Sequence, residues 1–362
     1  MKLESISAIA KILAPVYSGS KALFCLGAKH VKTHLIEPFC YGNKPKLPLP
    51  QKIFDFYPAD YPKGIDGILV QPLNCLTETL AEDAVILIAE EDQVFYNYLG
   101  ELYDKLHCYY FPILPCTAIE AYFYALDHEK EIYAIAESFS DDISMRTYIE
   151  YWESRIAGRV YNPALFSEQP YWGNDIVPRL PDNGIIILGG AYNGLHIDRA
   201  RKYVPMLNAI LFEPNPIWAA FLNKKYCGAS EIQIVPKALY NINSEISFDT
   251  SNELGARVCS DETGNCTVQT ICLDNFSLNN VSIIALDIEG TELQALEGAI
   301  NTIKSCRPTL AICSYHKISD YINIPQYIYK LGLNYRLYFR QHSCYYEESV
   351  VYAIPEQTDC KL

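Results

Sequence analysis

Three stretches of the sequence gather residue types that can do chemistry. The first is the loop Gly189-Gly190-Ala191-Tyr192-Asn193-Gly194, with Glu213 following 19 residues after its last glycine. Glycines between a strand and a helix leave backbone N–H groups free to meet a polar or anionic ligand at the helix start. A carboxylate at that distance can accept hydrogen bonds from two ribose hydroxyls, so the pair points to an adenosine-containing ligand. A turn of glycines beside a surface Glu is the competing structural explanation. The second stretch is Asp287-Ile288-Glu289-Gly290-Thr291-Glu292, with three carboxylates in six residues. It reads as a site, with or without a metal, or as a helix start capped by Thr291 or Asp287 with Glu292 in the first turn. The third is His316, in Ser314-Tyr315-His316-Lys317. An imidazole there could take a proton from a hydroxyl nucleophile or could simply be structural. Arg336, Arg340 and His342, in the last predicted hairpin, could face an anionic substrate or water, and water is the favoured expectation.

The elements that must position these residues follow from hydrophobic pattern. Gly184–Leu188 is a continuous apolar run that enters the glycine loop, and a helix is expected over Leu195–Tyr203. Asn208–Phe212 ends at Glu213, and a helix is expected over Ile217–Tyr226. Glu231–Val235 is a third strand, and Ser282–Leu286 a fourth that ends at Asp287. Leu293, Leu296, Ala299, Ile300 and Ile303 share one side of a helix predicted over Thr291–Ser305. Pro308–Cys313 is a fifth strand, which runs into His316. Tyr335–Gln341 and Glu348–Ile354 alternate and predict an antiparallel hairpin at the edge of a mostly parallel sheet. Acidic and histidine side chains thus fall at strand C-termini, where open α/β sheets bind ligands.

Earlier in the chain, Ala22–Leu26, Asp83–Ala89 and Tyr109–Leu114 read as strands, with a helix over Val94–Leu106 and a Pro- and Lys-rich loop over Phe39–Pro62. The pattern predicts a smaller Rossmann-like α/β domain over residues 1–120. A helical connector is expected over residues 121–175, and the second α/β domain over residues 176–362. A boundary fits the Gly-, Asn- and Pro-containing stretch Tyr171–Pro181. The Leu26-Gly27-Ala28-Lys29-His30 loop keeps one glycine and puts Lys29 where a compact turn residue is wanted, so no dinucleotide is expected there.

Composition narrows the classes. The 362 residues are half hydrophobic and one-fifth charged, which rules out a disordered chain. A net charge of −14 argues against a nucleic-acid partner. Thirteen cysteines, an odd number with no CxxC pair, fit buried reduced thiols in a reducing compartment. Glu4 and Lys11 interrupt the first apolar stretch, so no signal peptide is expected, and no run is long enough to span a bilayer. These readings predict a cytoplasmic location.

The glycine pattern also bears on the ligand. Ala191 stands where the second glycine of a dinucleotide fingerprint lets the backbone approach a pyrophosphate. S-adenosylmethionine has no pyrophosphate and tolerates the alanine, which favours a methyl donor over a nicotinamide cofactor.

The run LDIEGTELQALEGAINTIKSCRPTLAICSYHKISDYINIPQYI, with ILFEPNP upstream, resembles the FkbM family of S-adenosylmethionine-dependent methyltransferases over about residues 184–354. The resemblance implies a seven-stranded Rossmann-like methyltransferase sheet and O-methylation of a sugar, glycan-precursor or secondary-metabolite hydroxyl. The implied donor site comprises Gly189, Gly190, Ala191, Asn193, Gly194, Glu213, Asn215 and Ala238. The implied catalytic residues are Asp287, Glu289 and His316. Where the family usually opens the loop with an acidic residue, this chain has Leu188, and Leu195-His196 follows the last loop glycine. The loss of that acid motivates a second possibility, a methyltransferase fold retained as a non-catalytic binding or scaffold protein. A nicotinamide-dependent oxidoreductase is a third, motivated by the spacing to Glu213. A divalent metal is permitted by the carboxylates but not required, and the expected partner is a small-molecule or sugar-linked acceptor.

Overall fold

The computed structural model describes residues 14–16, 18–28, 50–65, 67–76, 84–88, 110–111, 115–157, 162–167, 169–180, 184–249, 257–258, 264–343 and 347–356. Two compact units account for them. The described residues up to Ile132, together with Ile149–Asn162, form one, and Tyr133–Tyr148 with the described residues from Pro163 onward form the other.

The first unit holds β1 (Ala22–Leu26), β2 (Lys52–Asp55), β3 (Val70–Pro72), β4 (Ala84–Ile88) and β5 (Tyr110–Phe111), all parallel in the order β3-β2-β1-β4-β5. Strands β1, β4 and β5 fall where the apolar runs predict them. Strand β2 lies inside the stretch expected to be a loop, because Pro50 and Pro58 flank the strand rather than interrupt it. Its Ile53 and Phe54 are fully buried, and Phe54 meets Phe24 of β1 edge-on at 5.8 Å between ring centroids. The helix expected over Val94–Leu106 and the Lys29 position lie outside the described residues. Helices α1 (Pro115–Ser138) and α2 (Asp142–Ala157) occupy the expected helical region, and α1 departs from helical geometry at His128.

In the second unit, β6 (Ile185–Gly189), α3 (Leu195–Arg201), β7 (Asn208–Phe212), α4 (Pro216–Lys225) and β8 (Ile232–Val235) follow one another as the pattern predicts. A small sheet then interrupts the alternation: β9 (Ala238–Leu239), β10 (Glu245–Asp249), β11 (Arg257–Val258) and β12 (Cys266–Ile271), in the order β11-β10-β12-β9. Residues Ala238, Phe248 and Val268 form its own apolar cluster. The main sheet resumes with β13 (Val281–Leu286), and α5 (Glu292–Glu297), α6 (Ile300–Cys306), β14 (Thr309–Cys313), α7 (Asp320–Lys330), β15 (Tyr335–Gln341) and β16 (Ser349–Pro355) complete it. Its seven strands take the order β15-β16-β14-β13-β6-β7-β8, and only β16 runs against the others.

Instead of one helix after β13 there are two. Gly298 and Ala299 separate them, and Gly298 lies so close to Tyr240 that an added Cβ would fall 2.0 Å from its carbonyl oxygen. Asp274 then caps the second helix from outside, accepting the N–H groups of Asn301 (2.9 Å) and Thr302 (2.8 Å). An apolar stripe records which face is buried, not whether the backbone runs unbroken.

Register sets the site. Gly189 pairs with Phe212 on one side and Leu286 on the other, and Leu286 pairs with Ile312. The residues leaving these strands therefore emerge at one level of the sheet edge. After β8 the chain returns to the far side of β6, so β6 and β13 flank the switch point where such sheets form a crevice.

Candidate functional site

At that edge lies a cavity of about 770 Å³, with Gly190, Ala191, Asn193, Glu213, Asn215, Ala238, Asp287, Glu289 and His316 among its lining residues. Nine of the eleven residues expected from the sequence thus share one space. The other two stand behind it. Gly189 ends β6 packed close to Leu286, Ile288 and Leu239, and Gly194 forms the N-cap of α3 with a left-handed backbone.

Gly190 has φ 74°, and a Cβ there would sit 1.8 Å from the carbonyl oxygen of Asp287. Only glycine fits, because the loop after β6 must cross against the end of β13. Glu213 is 6% exposed and works first as a clamp. Its Oε2 accepts the Tyr192 N–H at 2.7 Å and its Oε1 the Asn215 N–H at 2.9 Å. Burial pushes its carboxyl above the ordinary range, against those two backbone bonds. Asn215 caps α4 by accepting the Ile217 N–H at 3.0 Å. Trp218 packs at 4.1 Å against the Tyr192 ring, and with Phe212, Leu239 and Phe248 gives this part of the cavity aromatic and aliphatic walls.

Across β6, Asp287 is held by two phenols. Tyr171 donates to Oδ2 at 2.8 Å and Tyr315 to Oδ1 at 2.9 Å. Both phenols are raised far above their ordinary pKa by burial and then by the charge of Asp287, so both remain donors. His316 lies among three carboxylates: Nδ1 is 2.9 Å from Glu292 Oε1, and Nε2 is 3.3 Å from Asp287 Oδ1 and 3.6 Å from Glu289 Oε2. The Glu292 contact is within hydrogen-bond distance and contributes both a hydrogen bond and charge to the ring, while the longer contacts to Asp287 and Glu289 act through charge. Burial opposes the charge on the ring, but the carboxylates outweigh it and raise His316 to about 9, making it an imidazolium at neutral pH. Glu289 has a left-handed backbone (φ 58°), and burial pushes its carboxyl up to about 7, with the imidazolium opposing and Asp287 and Glu292 reinforcing the shift.

Several sequence expectations change here. Neither Thr291 nor Asp287 caps α5 through its side chain. Glu292 is not a solvated first-turn residue. It is fully buried, accepts the N–H groups of Ile288 (2.9 Å) and Gly290 (3.4 Å), and supplies the counter-charge to His316. Its spacing also suits an ordinary helix start, so no sequence signal separated the two roles. Arg340, expected to face water, is 2% exposed and pairs with Asp141 (2.8 Å) and Asp175 (2.6 Å). His342 is likewise internal, 2.9 Å from the Ser167 carbonyl and the Tyr352 hydroxyl, and burial lowers it to about 4. Leu188 points into the core with Ile186 and Ala285 and does not line the cavity. Tyr171 and Tyr315 were missed because tyrosine carries no motif, and the chain has 29 of them. Among the described residues, no group of three or more His, Cys, Asp or Glu is arranged to hold a metal ion, and no helix is long and apolar enough to cross a membrane.

The comparisons with known proteins agree with this architecture. Residues 190–342 match the family model of the Methyltransferase FkbM domain, slightly inside the limits expected from the sequence. The crystal structure of methyltransferase FkbM from Methylobacillus flagellatus KT superposes with a TM-score of 0.68 at 17% identity, covering 97% of this chain and 98% of that one. That likeness spans both units and establishes a methyltransferase-type α/β fold with a mostly parallel seven-stranded sheet and a separate smaller parallel sheet. An rRNA methylase from Streptococcus thermophilus aligns over 49% of this chain and 90% of its own, at 12% identity and a TM-score of 0.33. Aeropyrum pernix fibrillarin aligns over 48% and 69%, at 9% identity and a TM-score of 0.32. No curated protein matches the sequence.

Proposed function

We propose that the cavity binds S-adenosylmethionine and directs its methyl group to a hydroxyl oxygen of a small acceptor, such as a sugar or sugar-linked intermediate. The observation that carries this reading is the charge of the wall. Among the described residues, five carboxylates line the cavity (Glu213, Asp287, Glu289, Glu347 and Glu348) and no Lys or Arg does. A pyrophosphate-bearing nicotinamide cofactor would meet repulsion there, whereas a sulfonium, itself a cation, would be attracted. Glu213 retains lone pairs beyond its two backbone bonds and would receive the ribose hydroxyls, with the Tyr192 and Trp218 rings beside the adenine. Asp287 would take the carboxylate position that Leu188 lacks and face the donor's ammonium.

The donor supplies an already activated methyl group, so the protein's work is placement and proton handling. Glu289, poised near neutrality, is suited to accept the hydroxyl proton. His316, as an imidazolium, cannot take that proton at neutral pH; its role is to hold Asp287 and Glu289 in place by charge. The new O–C bond forms as the C–S bond breaks, the C–S electron pair stays on sulfur, and the hydroxyl proton leaves through Glu289.

Calorimetric titration of the whole chain with S-adenosylmethionine tests the donor assignment. A micromolar dissociation constant is expected, weakened at least tenfold in Glu213→Gln. No heat up to millimolar donor overturns the assignment and leaves a binding or scaffold role for the fold.

A further inference from the structure

We propose that His196 recognises the carboxylate of the methyl donor, so that its imidazole N–H and Asp287 together read the donor's amino-acid end. This rests on the methyltransferase reading and assigns a further binding residue to the same cavity.

The loop backbone has little left to offer a carboxylate. The N–H groups of Gly190 and Ala191 donate to the Phe212 carbonyl at 3.0 and 3.2 Å, and that of Gly194 to the Ala191 carbonyl at 2.8 Å. The Tyr192 N–H is held by Glu213, and the Leu195 N–H by Asn193 Oδ1 at 3.0 Å. Side chains must then supply the contact, and those around the ends of β13 and β14 are committed. Tyr315 donates to Asp287, Thr291 donates to the Ile288 carbonyl at 3.1 Å, and the His316 ring is enclosed among carboxylates. A carboxylate entering this acidic wall needs an N–H that serves no other acceptor.

His196 meets that need. It is the second residue of α3, directly after the loop, and it lines the cavity. Its ring packs edge-on against the buried Tyr171 at 4.7 Å between centroids and the buried Trp172 at 6.4 Å. The same Tyr171 donates its phenol to Asp287, so one side chain touches both residues. The donor's ammonium and carboxylate sit on one carbon, and a residue for each must therefore lie side by side. The His196 nitrogens bond to no described residue and are not enclosed, so they reach open space in the cavity. Burial lowers the ring to about 4, with Asp287 opposing and Arg199 reinforcing the shift. At pH 7 it is neutral and carries one N–H to donate.

The test separates the carboxylate from the rest of the donor. The full chain is titrated calorimetrically at pH 7 with S-adenosylhomocysteine and with its decarboxylated form, the aminopropyl thioether of adenosine, which keeps the ammonium. The acidic wall favours the decarboxylated cation on charge alone, so the readout is the change in the ratio of the two affinities. His196→Phe keeps the ring packing and removes the N–H. It should weaken S-adenosylhomocysteine about tenfold and leave the decarboxylated ligand within twofold, since only the first loses a charge-assisted hydrogen bond. His196→Gln, which retains an N–H donor, should recover part of the loss. An unchanged ratio in His196→Phe overturns the proposal and leaves the residue a structural role. NMR of the labelled ring in the native chain asks the same question without a substitution. S-adenosylhomocysteine should raise the His196 midpoint from about 4, and the decarboxylated ligand should not. A midpoint that moves equally with both, or with neither, overturns the carboxylate contact while leaving donor binding intact. Failure of S-adenosylhomocysteine itself to bind the native chain overturns the donor reading beneath it.

Discussion

The two parallel sheets solve the same local problem with the same device, yet only one builds this cavity. In the first unit, Asp55 at the end of β2 accepts the N–H of Ala28, from the turn after β1, at 2.7 Å, and the N–H of Tyr57, two residues on, at 2.8 Å. In the second, Glu213 immediately after β7 accepts the N–H of Tyr192, from the loop after β6, at 2.7 Å, and that of Asn215, two residues on, at 2.9 Å. A carboxylate beside a strand-to-helix turn is therefore first a fold-level clamp that satisfies buried donors. What distinguishes the second sheet is the set of neighbours: the longer Glu side chain, the close crossing at Gly190, the aromatic walls, and Asp287 at the adjacent strand tip. An acid at the end of a second strand is thus weak evidence for a ribose when taken alone. It gains force only from what the adjoining strand ends present.

The crossing at Gly190 gives the largest expected effect. Gly190→Ala would drive a Cβ into the Asp287 carbonyl from a left-handed backbone, so strain and overpacking together should cost about 3 kcal/mol. Chemical denaturation should show the loss, and calorimetry should show donor affinity falling beyond detection in whatever fraction still folds. A stable variant that binds donor normally would remove the crossing from the account of the site.

The paired clamps come next, and they test the comparison directly. Asp55→Asn and Glu213→Gln each replace an acceptor oxygen with an amide donor facing a backbone N–H, at a cost of about 1–3 kcal/mol. Both should lower the denaturation midpoint. Only Glu213→Gln should also weaken S-adenosylhomocysteine binding, at least tenfold. If Asp55→Asn weakens it equally, the two units are not functionally separate.

Much of this contrast is legible in the sequence, and the parts that are not share a cause. Apolar runs locate β6, β7, β13 and β14, and the residues that end them locate Glu213, Asp287 and the loop before His316, because strand and tip are adjacent in the chain. Strand β2 is hidden by flanking prolines, and the small sheet β9–β12 by strands too short to show a period. Tyr171 reaches Asp287 across 116 positions of sequence, and nothing local to either residue announces the contact. The burial of Arg340 depends on Asp141 and Asp175, which lie 199 and 165 positions away. Pattern reading places what the backbone presents at strand ends. It does not reveal partners that arrive from distant loops.

His316 gives a smaller effect with a definite sign in pH. Its folded pKa is raised from 6.5 to about 9, so the stability it contributes is fully present below pH 6.5 and is lost as pH rises through about 9. The melting-temperature gap between the native chain and His316→Asn should therefore narrow by roughly 3 °C or more between pH 6.5 and 9.5. NMR of the labelled imidazole should place its titration well above that of the internal His342, which burial lowers to about 4. A His316 midpoint near 6.5 would show that the carboxylates around it do not hold the charge.

The smallest effect distinguishes the two kinds of carboxylate most sharply. Asp55 and Glu213 are held by backbone N–H groups, which almost any sequence supplies, whereas Asp287 is held by the phenols of Tyr171 and Tyr315. Tyr171→Phe removes one donor from Asp287 Oδ2 and leaves a shape that still packs, so stability should fall by about 1–2 kcal/mol. If the phenols exist only to satisfy a buried charge, the loss ends there and S-adenosylhomocysteine binds unchanged. If they aim Asp287 at the donor, affinity should fall about fivefold, and the Tyr171→Phe and Tyr315→Phe double variant should lose more than the two single losses combined, because one phenol can hold the carboxylate where none cannot. Additive, purely structural losses would make Asp287 another clamp like Asp55. Coupled losses in affinity would mark it as the point where the second sheet departs from the first.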